Sequence, residues 1–183
     1  MKKNKKILII AEAGVNHNGN LNYAKKLALN AKNAGADIIK FQTYNTSKLV
    51  TKDAKLAIYQ KKNTNNVFSN QYNLLKKYEL SKKKFINLKL FCDKIGIEFL
   101  SSPFDLEILD FLIKLKVKKI KIPSGEITNY QLLKEIKKSK KPVILSTGMS
   151  TVKEIQDAVE ILGKKKLTLL HCNSSYPTPF KDV

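Results

Sequence analysis

The chain contains no arginine and no tryptophan, although it is strongly basic. Its 35 basic residues are all lysine, are spread over the whole sequence and face 15 acidic residues, which gives a formal charge of +20. Base and phosphate recognition favours arginine, and no nucleic-acid recognition motif accompanies the charge. The sequence therefore predicts no nucleic-acid partner, and a basic nucleic-acid-binding protein is the weakest of the functions considered.

Long apolar runs are also absent. No stretch approaches the roughly 18 apolar residues of a membrane helix, and no charged and then apolar leader ends in small residues. The two cysteines, Cys92 and Cys172, have apolar surroundings and no metal-type spacing, which suits a reducing compartment. These features predict a cytoplasmic protein without a membrane partner.

The glycine-rich motifs of nucleotide-binding sheets are missing, and apolar runs alternate instead with helical patterns. The runs predict strands at residues 7–11, 38–42, 98–101, 119–122, 143–146 and 167–172. Helical periodicity and capping signals predict helices at residues 21–34, 81–95, 105–116, 130–138 and 151–162. A polar stretch over residues 43–73 is expected to be a lid or a mobile loop.

This alternation predicts an α/β fold with a parallel sheet and helical crossovers. Almost every predicted strand ends in a polar cluster, which is typical of a (β/α)8 TIM-type barrel, whose functional residues follow many different strands. A doubly wound sheet gathers its ligands at one switch point instead. Such a barrel typically needs about 250 residues, so this chain is expected to supply about six of the eight βα units.

The segment at residues 119–126 shows how a strand could lead into a site. Isoleucines and lysines alternate along it, so Lys121 faces away from the isoleucines and, inside a sheet core, would need an anion. Pro123 cannot donate to a ladder, so pairing should stop there and leave Ser124 and Glu126 at the carboxyl end of the strand. The alternative is an edge strand with solvated lysines.

Two histidines invite a metal hypothesis. His17 and His171 are far apart in sequence and follow different strands, and apolar residues flank His171 on a strand predicted to be buried. Both are therefore interpreted as structural histidines, and no residue is assigned as a metal ligand.

Six segments of the chain, in order, resemble the motifs of the sialic acid synthases, over essentially its whole length. They are IAEAGVNHNG at residues 10–19, KFQT at 40–43, FLSSPFD at 99–105, KIPSGEITN at 121–129, LSTGM at 145–149 and HCNSSYPTP at 171–179. The resemblance implies condensation of phosphoenolpyruvate with N-acetylmannosamine or a related N-acylated hexosamine. The products would be phosphate and a sialic acid of the N-acetylneuraminate or legionaminate type.

In this family a divalent metal, Mn²⁺ or Mg²⁺, polarises the sugar aldehyde. A synthase that makes a 3-deoxy-octulosonate or heptulosonate shares the chemistry, but it would use a phosphorylated sugar and fits these motifs less well.

The resemblance also implies roles for individual residues. Glu126 would be the catalytic carboxylate that directs water or moves a proton, and Glu12 would assist near the sugar or the metal, or else only structure its loop. Ser174 stands where some members carry an asparagine, so that contact would pass to Asn173. The implied substrate-binding residues are Lys40, Ser102, Lys121, Ser124, Ser146, Asn173, Ser174 and Tyr176. The serines could instead be helix caps or turn residues, and the lysines surface residues of edge strands.

Two family features do not occur in the sequence. The Ser-Asp-His and Glu-x-His-Phe motifs that supply the family's metal histidines are missing, and so is the C-terminal antifreeze-like domain. Residues 1–183 are therefore expected to be the N-terminal part of a synthase barrel, with the family's homodimer expected only for a full-length protein. Alone, they are expected to have exposed hydrophobic edges and to condense little or no substrate. The alternative is a truncated, non-catalytic remnant that retains a phosphoenolpyruvate pocket.

Overall fold

A computed structural model describes residues 7–56, 67–173 and 178–182. Within these residues the chain forms an α/β fold that divides into two compact units, Met1–Phe99 and Leu100–Val183. The strands are β1 (Ile10–Gly14), β2 (Ile38–Thr43), β3 (Glu98–Pro103), β4 (Ile120–Ile122), β5 (Val143–Ser146) and β6 (Leu167–Leu170). The α-helices are α1 (Leu21–Asn33), α2 (Thr46–Leu49), α3 (Gln71–Tyr78), α4 (Lys82–Ile95), α5 (Leu106–Lys114), α6 (Tyr130–Lys138) and α7 (Val152–Leu162).

The strands form two three-stranded sheets, in the orders β1-β2-β3 and β4-β5-β6. β1 runs parallel to β2, and β5 runs parallel to both β4 and β6. Parallel neighbours require crossover connections, which the helices between the strands supply. The predicted α/β class with parallel sheets is confirmed.

The first unit is built on an aromatic cluster. Phe41 of β2 stacks on Phe99 with ring centroids 5.8 Å apart, and Phe85 of α4 meets Phe99 edge-on at 6.4 Å. All three rings are fully buried, and α1 packs against α4. Buried aromatic pairs combine a large apolar area with preferred geometry, so this cluster fixes β2 beneath its helices.

The second unit buries the apolar sides of its helices. In α6 the residues Leu132, Leu133 and Ile136 are buried, and the helix packs against both α5 and α7. Asp105 caps α5 by accepting a hydrogen bond from the Ile108 amide, as predicted, and Thr151 with Glu154 forms the predicted capping box of α7. These caps fix the residues at which α5 and α7 begin.

Several predicted boundaries were wrong. The first strand is not at residues 7–11, because β1 begins at Ile10 in register with Ile38 of β2, and Ile7 is 78% exposed. β3 extends two residues further than predicted, and β6 ends at Leu170. The polar stretch contains α2 and the start of α3, while residues 57–66 of the predicted lid lie outside the described residues.

In the described part of the chain, none of the helices combines the length and the apolar character that crossing a membrane would require.

Candidate functional site

Lys121 is a buried cation at the end of β4. Its side chain points away from the solvent, the residue is 6% exposed, and the strand ends one position later. The Lys121 ammonium donates to the Ser146 hydroxyl at 2.5 Å and to the Ile122 carbonyl at 2.7 Å. Both of these acceptors are uncharged oxygens. Burying a cation is costly, and an anionic ligand at this strand end would lower that cost.

Pairing stops after Ile122, as the sequence predicts. Pro123 precedes a single 3₁₀ turn, Ser124–Glu126, which the Glu126 amide closes by donating to the Pro123 carbonyl at 3.0 Å. Gly125 does not adopt a left-handed backbone there. The turn therefore brings both Ser124 and Glu126 to the carboxyl end of β4.

Three loops converge at this end of the second sheet. Gly148, in the loop after β5, is buried, and a methyl group built on it would lie 3.4 Å from the Ser124 hydroxyl. The same methyl group would lie 3.5 Å from the carbonyl of Asn173, which follows β6. The absence of a side chain at Gly148 thus keeps a narrow space between the ends of three neighbouring strands.

Glu126 is a half-buried carboxylate within this group. Burial raises the pKa of its carboxyl above the usual range, a hydrogen bond from Asn129 works against that rise, and the nearby Asp105 adds to it. The Asn129 amide nitrogen donates to Glu126 Oε2 at 2.8 Å. A carboxyl group with a raised pKa can exchange protons nearer to neutral pH than an ordinary glutamate can.

Ser102 lies in β3, in the second unit, and is 1% exposed. Among the described residues its hydroxyl has no hydrogen-bond partner. A buried polar group without a partner costs about 1–3 kcal/mol. A ligand oxygen or an ordered water at this position would remove that cost.

The first unit holds the pair Glu12 and Lys40. The two residues lie opposite each other on β1 and β2, and the Lys40 ammonium is 2.8 Å from Glu12 Oε2. Lys40 is buried, whereas the Glu12 side chain is 42% exposed. The anion that a lysine inside an apolar strand requires is thus supplied here by the chain itself.

Both histidines were predicted to be structural, but only His17 is buried. His17 is buried, and its Nδ1 accepts a hydrogen bond from the Gly19 amide, but its Nε2 has no partner among the described residues. His171 was interpreted as a histidine of a buried strand, which is wrong. It follows the end of β6 and is exposed, because the described structure leaves β6 only half covered.

Acidification should destabilise the protein through His17. Burial and, next, the charge of Lys84 lower the pKa of His17 from 6.5 to about 4. The unfolded chain takes up a proton on this side chain between these two values, whereas the folded protein does not. Stability is therefore lost as the pH falls from about 6.5 towards 4, by roughly 3 kcal/mol.

Urea unfolding at about pH 7 and pH 4.5 measures this loss. The variant His17→Asn retains an acceptor near Nδ1 and is expected to lose less stability on acidification than the wild type. His171→Asn, which changes an exposed histidine, should match the wild type. Equal acid losses in His17→Asn and the wild type would show that His17 does not titrate in this way.

The described residues offer no metal centre. No group of three or more histidine, cysteine, aspartate or glutamate side chains in this part of the chain could hold an ion. The residues present therefore do not fit the metal that the family resemblance implies, and no chemical step is assigned to one here.

Ser174 and Tyr176 lie outside the described residues. The sequence alone did not indicate Asn129 and Gly148 as site residues, although both lie in the family-like motifs at residues 121–129 and 145–149. The signal for Asn129 was its position just before α6, where asparagine is a preferred cap.

A separate cavity of about 230 Å³ opens at the amino ends of β5 and β6, the opposite end from Ser146. It is lined by Val143, Leu162, Gly163 and Leu167 and by the lysines Lys137, Lys140, Lys141, Lys165 and Lys166. Three of these lysines donate to backbone carbonyls, namely Lys137 to Leu162, Lys141 to Val117 and Lys166 to Lys140. These bonds give the lysines a structural role, so the cavity is not assigned to the chemistry.

Comparison with known proteins finds one family whose members are similar to this chain. Residues 27–183 match the NeuB family. The N,N'-diacetyllegionaminic acid synthase of Campylobacter jejuni is 50% identical, covering 98% of this chain and 55% of that protein. The enzyme of the same name from Legionella pneumophila is 46% identical, covering 96% of this chain and 51% of that protein.

A solved structure is also similar. The N-acetylneuraminic acid (sialic acid) synthetase from Leptospira borgpetersenii, in complex with citrate, is 39% identical with a TM-score of 0.83. The alignment covers 97% of this chain and 58% of that one. The chain thus spans about half the length of the curated relatives it matches.

Proposed function

The chain belongs to the NeuB family, and on that premise we propose that it is the N-terminal part of a synthase that condenses phosphoenolpyruvate with an N-acylated hexosamine. The products are phosphate and a nonulosonic acid of the sialic acid type. The observation that carries the proposal is Lys121, a buried ammonium held by Ser146 and Ile122 beside the turn that presents Ser124 and Glu126.

In this proposal the phosphoenolpyruvate lies at the carboxyl ends of β4, β5 and β6. The Lys121 ammonium attracts its phosphate or carboxylate, and the hydroxyls of Ser124 and Ser146 donate to the same anion. Charge-assisted hydrogen bonds of this kind are about twice as strong as neutral ones. Asn173 borders the same space, and Ser102 would offer its unpartnered hydroxyl to the ligand.

Glu126 would handle the water that completes the reaction. C3 of the enolpyruvate forms a bond to the aldehyde carbon, and water adds to the cation left at C2. Glu126 accepts a proton from that water, and the bond between C2 and the phosphate oxygen then breaks. The two protons of the water end on the new sugar hydroxyl and on the departing phosphate, so the step balances.

Glu12 and Lys40 have a less direct assignment. The resemblance gives Lys40 a part in binding phosphoenolpyruvate and Glu12 a part near the sugar. Their ion pair supports a role in which Glu12 holds the ammonium in place. Their part in the reaction stays a prediction, as do the contacts of Ser174 and Tyr176.

The names of the relatives favour one class of sugar substrate. Two of them, at 50% and 46% identity, are named as N,N'-diacetyllegionaminic acid synthases, whereas N-acetylneuraminate-9-phosphate synthases of Drosophila melanogaster and Homo sapiens are 37% and 32% identical. We therefore favour a hexosamine with two N-acetyl groups over N-acetylmannosamine.

The complete enzyme is proposed to be a cytoplasmic (β/α)8 barrel. Two further βα units and an antifreeze-like domain would lie outside residues 1–183, and the full-length protein would form the family's homodimer. The divalent metal would be held by histidines outside these residues, since those described here offer no ligand set.

An assay of the full-length protein tests the function. Phosphoenolpyruvate and a diacetylated hexosamine, supplied with Mn²⁺, should give equal amounts of phosphate and of a nine-carbon keto acid detected by mass spectrometry. N-acetylmannosamine should react more slowly. Phosphate release without a condensed product, or no reaction with any N-acylated hexosamine, would contradict the proposal. Binding of phosphoenolpyruvate without any condensation would support the non-catalytic alternative.

A further inference from the structure

Asn129 makes two hydrogen bonds that connect a helix to the Glu126 carboxylate. Its side-chain oxygen accepts from the Leu132 amide at 3.1 Å and so caps α6. Its side-chain nitrogen donates to Glu126 Oε2 at 2.8 Å. A backbone amide can only donate and an ionised carboxylate can only accept, so the amide of Asn129 has one orientation that satisfies both partners.

We propose that Asn129 is a positioning residue that aims the Glu126 carboxylate at the reacting atoms. The inference rests on the proposed function, because it gives a geometric cause to the role assigned to Glu126. Asn129 itself need not touch the substrate.

The backbone makes this connection stiff. The Ile127 amide donates to the Ser124 carbonyl at 3.2 Å, and the Asn129 amide donates to the Glu126 carbonyl at 3.1 Å. On the other side, α6 is anchored by its buried leucines and Ile136. The packing of α6 in the core therefore fixes the position of Glu126 Oε2 through Asn129.

The other carboxylate oxygen is left for chemistry. Among the described residues, Glu126 Oε1 accepts no hydrogen bond, so it is available to a water or a substrate proton. With Oε2 held by Asn129, the carboxylate cannot rotate without breaking that bond. Catalytic groups that lose such alignment by about 1 Å can lose about 100-fold in rate.

The hydrogen bond from Asn129 also affects the pKa of Glu126. The charged group that faces it is Asp105, on the loop before α5, and this neighbour disfavours a second negative charge. The donation from Asn129 stabilises the ionised form against both Asp105 and burial. Loss of the bond should therefore both release the carboxylate and raise its pKa further.

The test compares cap residues of equal quality. Asn129→Ser retains a good N-cap for α6 but replaces the amide that donates to Glu126 with a shorter hydroxyl side chain. It is expected to leave the unfolding midpoint within error of the wild type, to lower kcat by about 10- to 100-fold with little change in KM, and to move the pH limb assigned to Glu126 upwards. Asn129→Asp, which also retains the cap, should shift that limb further because it adds a like charge.

Asn20→Ser is the matched control. Asn20 caps α1 in the same way, by accepting from the amides of Asn22 and Tyr23, and it lies in the first unit. This variant should not change kcat or the pH profile.

A readout that does not need activity is the titration of the Glu126 carboxyl carbon by NMR, in the wild type and in Asn129→Ser. A higher pKa in the variant is the expected result. Equal pKa values in the two proteins would overturn the positioning role, whatever the activity. If the pKa is higher in Asn129→Ser but the wild type condenses no substrate, the proposed function is overturned, and with it the role of Glu126 in catalysis.

Discussion

Replacing Glu126 with glutamine is expected to lower kcat by about 100- to 10,000-fold while leaving the affinity for phosphoenolpyruvate nearly unchanged. Glutamine still offers an oxygen to Asn129, so the turn after Pro123 should keep its shape. What is lost is the ability to take a proton from water.

The replacement of Glu126 should also change how the rate depends on pH. Glu126 acts in its ionised form, and burial, followed by Asp105, raises its pKa. The wild-type rate should therefore fall as the pH falls through that raised value, and the Glu126→Gln variant should lack this limb. Glu160→Gln changes an exposed glutamate of α7 and should behave like the wild type. A Glu126→Gln enzyme with more than about a tenth of the wild-type rate would remove Glu126 from the catalytic role.

The second large effect is expected from Lys121→Met. A methionine fills similar volume but removes the cation, and the affinity for phosphoenolpyruvate should fall by about 100-fold or more. Without ligand, the stability of the variant should change little, because the removed cost of burying the ammonium offsets the donor that the Ser146 hydroxyl and the Ile122 carbonyl lose.

This combination separates a ligand-binding lysine from a structural one. A lysine that only solvates the ends of β4 and β5 would, on replacement, lower stability without changing ligand affinity. Lys141→Met is the control, because the Lys141 ammonium donates to the Val117 carbonyl at 2.7 Å in the lysine-lined cavity. Calorimetric titration with phosphoenolpyruvate and thermal unfolding of the three proteins give both quantities. Unchanged affinity in Lys121→Met would contradict the proposed anion site.

The second unit was predicted well because its signals are local. The bounds of α6 and β5 follow from apolar periodicity, and the Thr151 capping box is visible as a spacing of polar residues. The burial of Lys121 was one of two alternatives, since alternation with isoleucines is compatible both with a sheet core and with a solvated edge strand. The sequence could not predict its partner Ser146, because that contact depends on the register between β4 and β5.

The first unit was harder to predict for physical reasons. α3 buries only Leu74 among its eight residues, so it lacks the apolar stripe by which helices are recognised. β1 begins later than its apolar run because pairing with β2, and not hydrophobicity alone, decides where a strand starts. The ion pair of Glu12 and Lys40 follows from that same register, so it could not be predicted while β1 was misplaced.

The central claim is that phosphoenolpyruvate binds at the carboxyl ends of β4 and β5, around Lys121. An amide NMR titration of the protein with phosphoenolpyruvate tests it most directly, because it reports the location as well as the affinity. The account predicts that the largest shifts fall on Ser124, Glu126, Ser146 and Gly148, and that they vanish in Lys121→Met. Shifts confined to Lys140, Lys165 and Leu167, around the lysine-lined cavity at the other end of the strands, would contradict it.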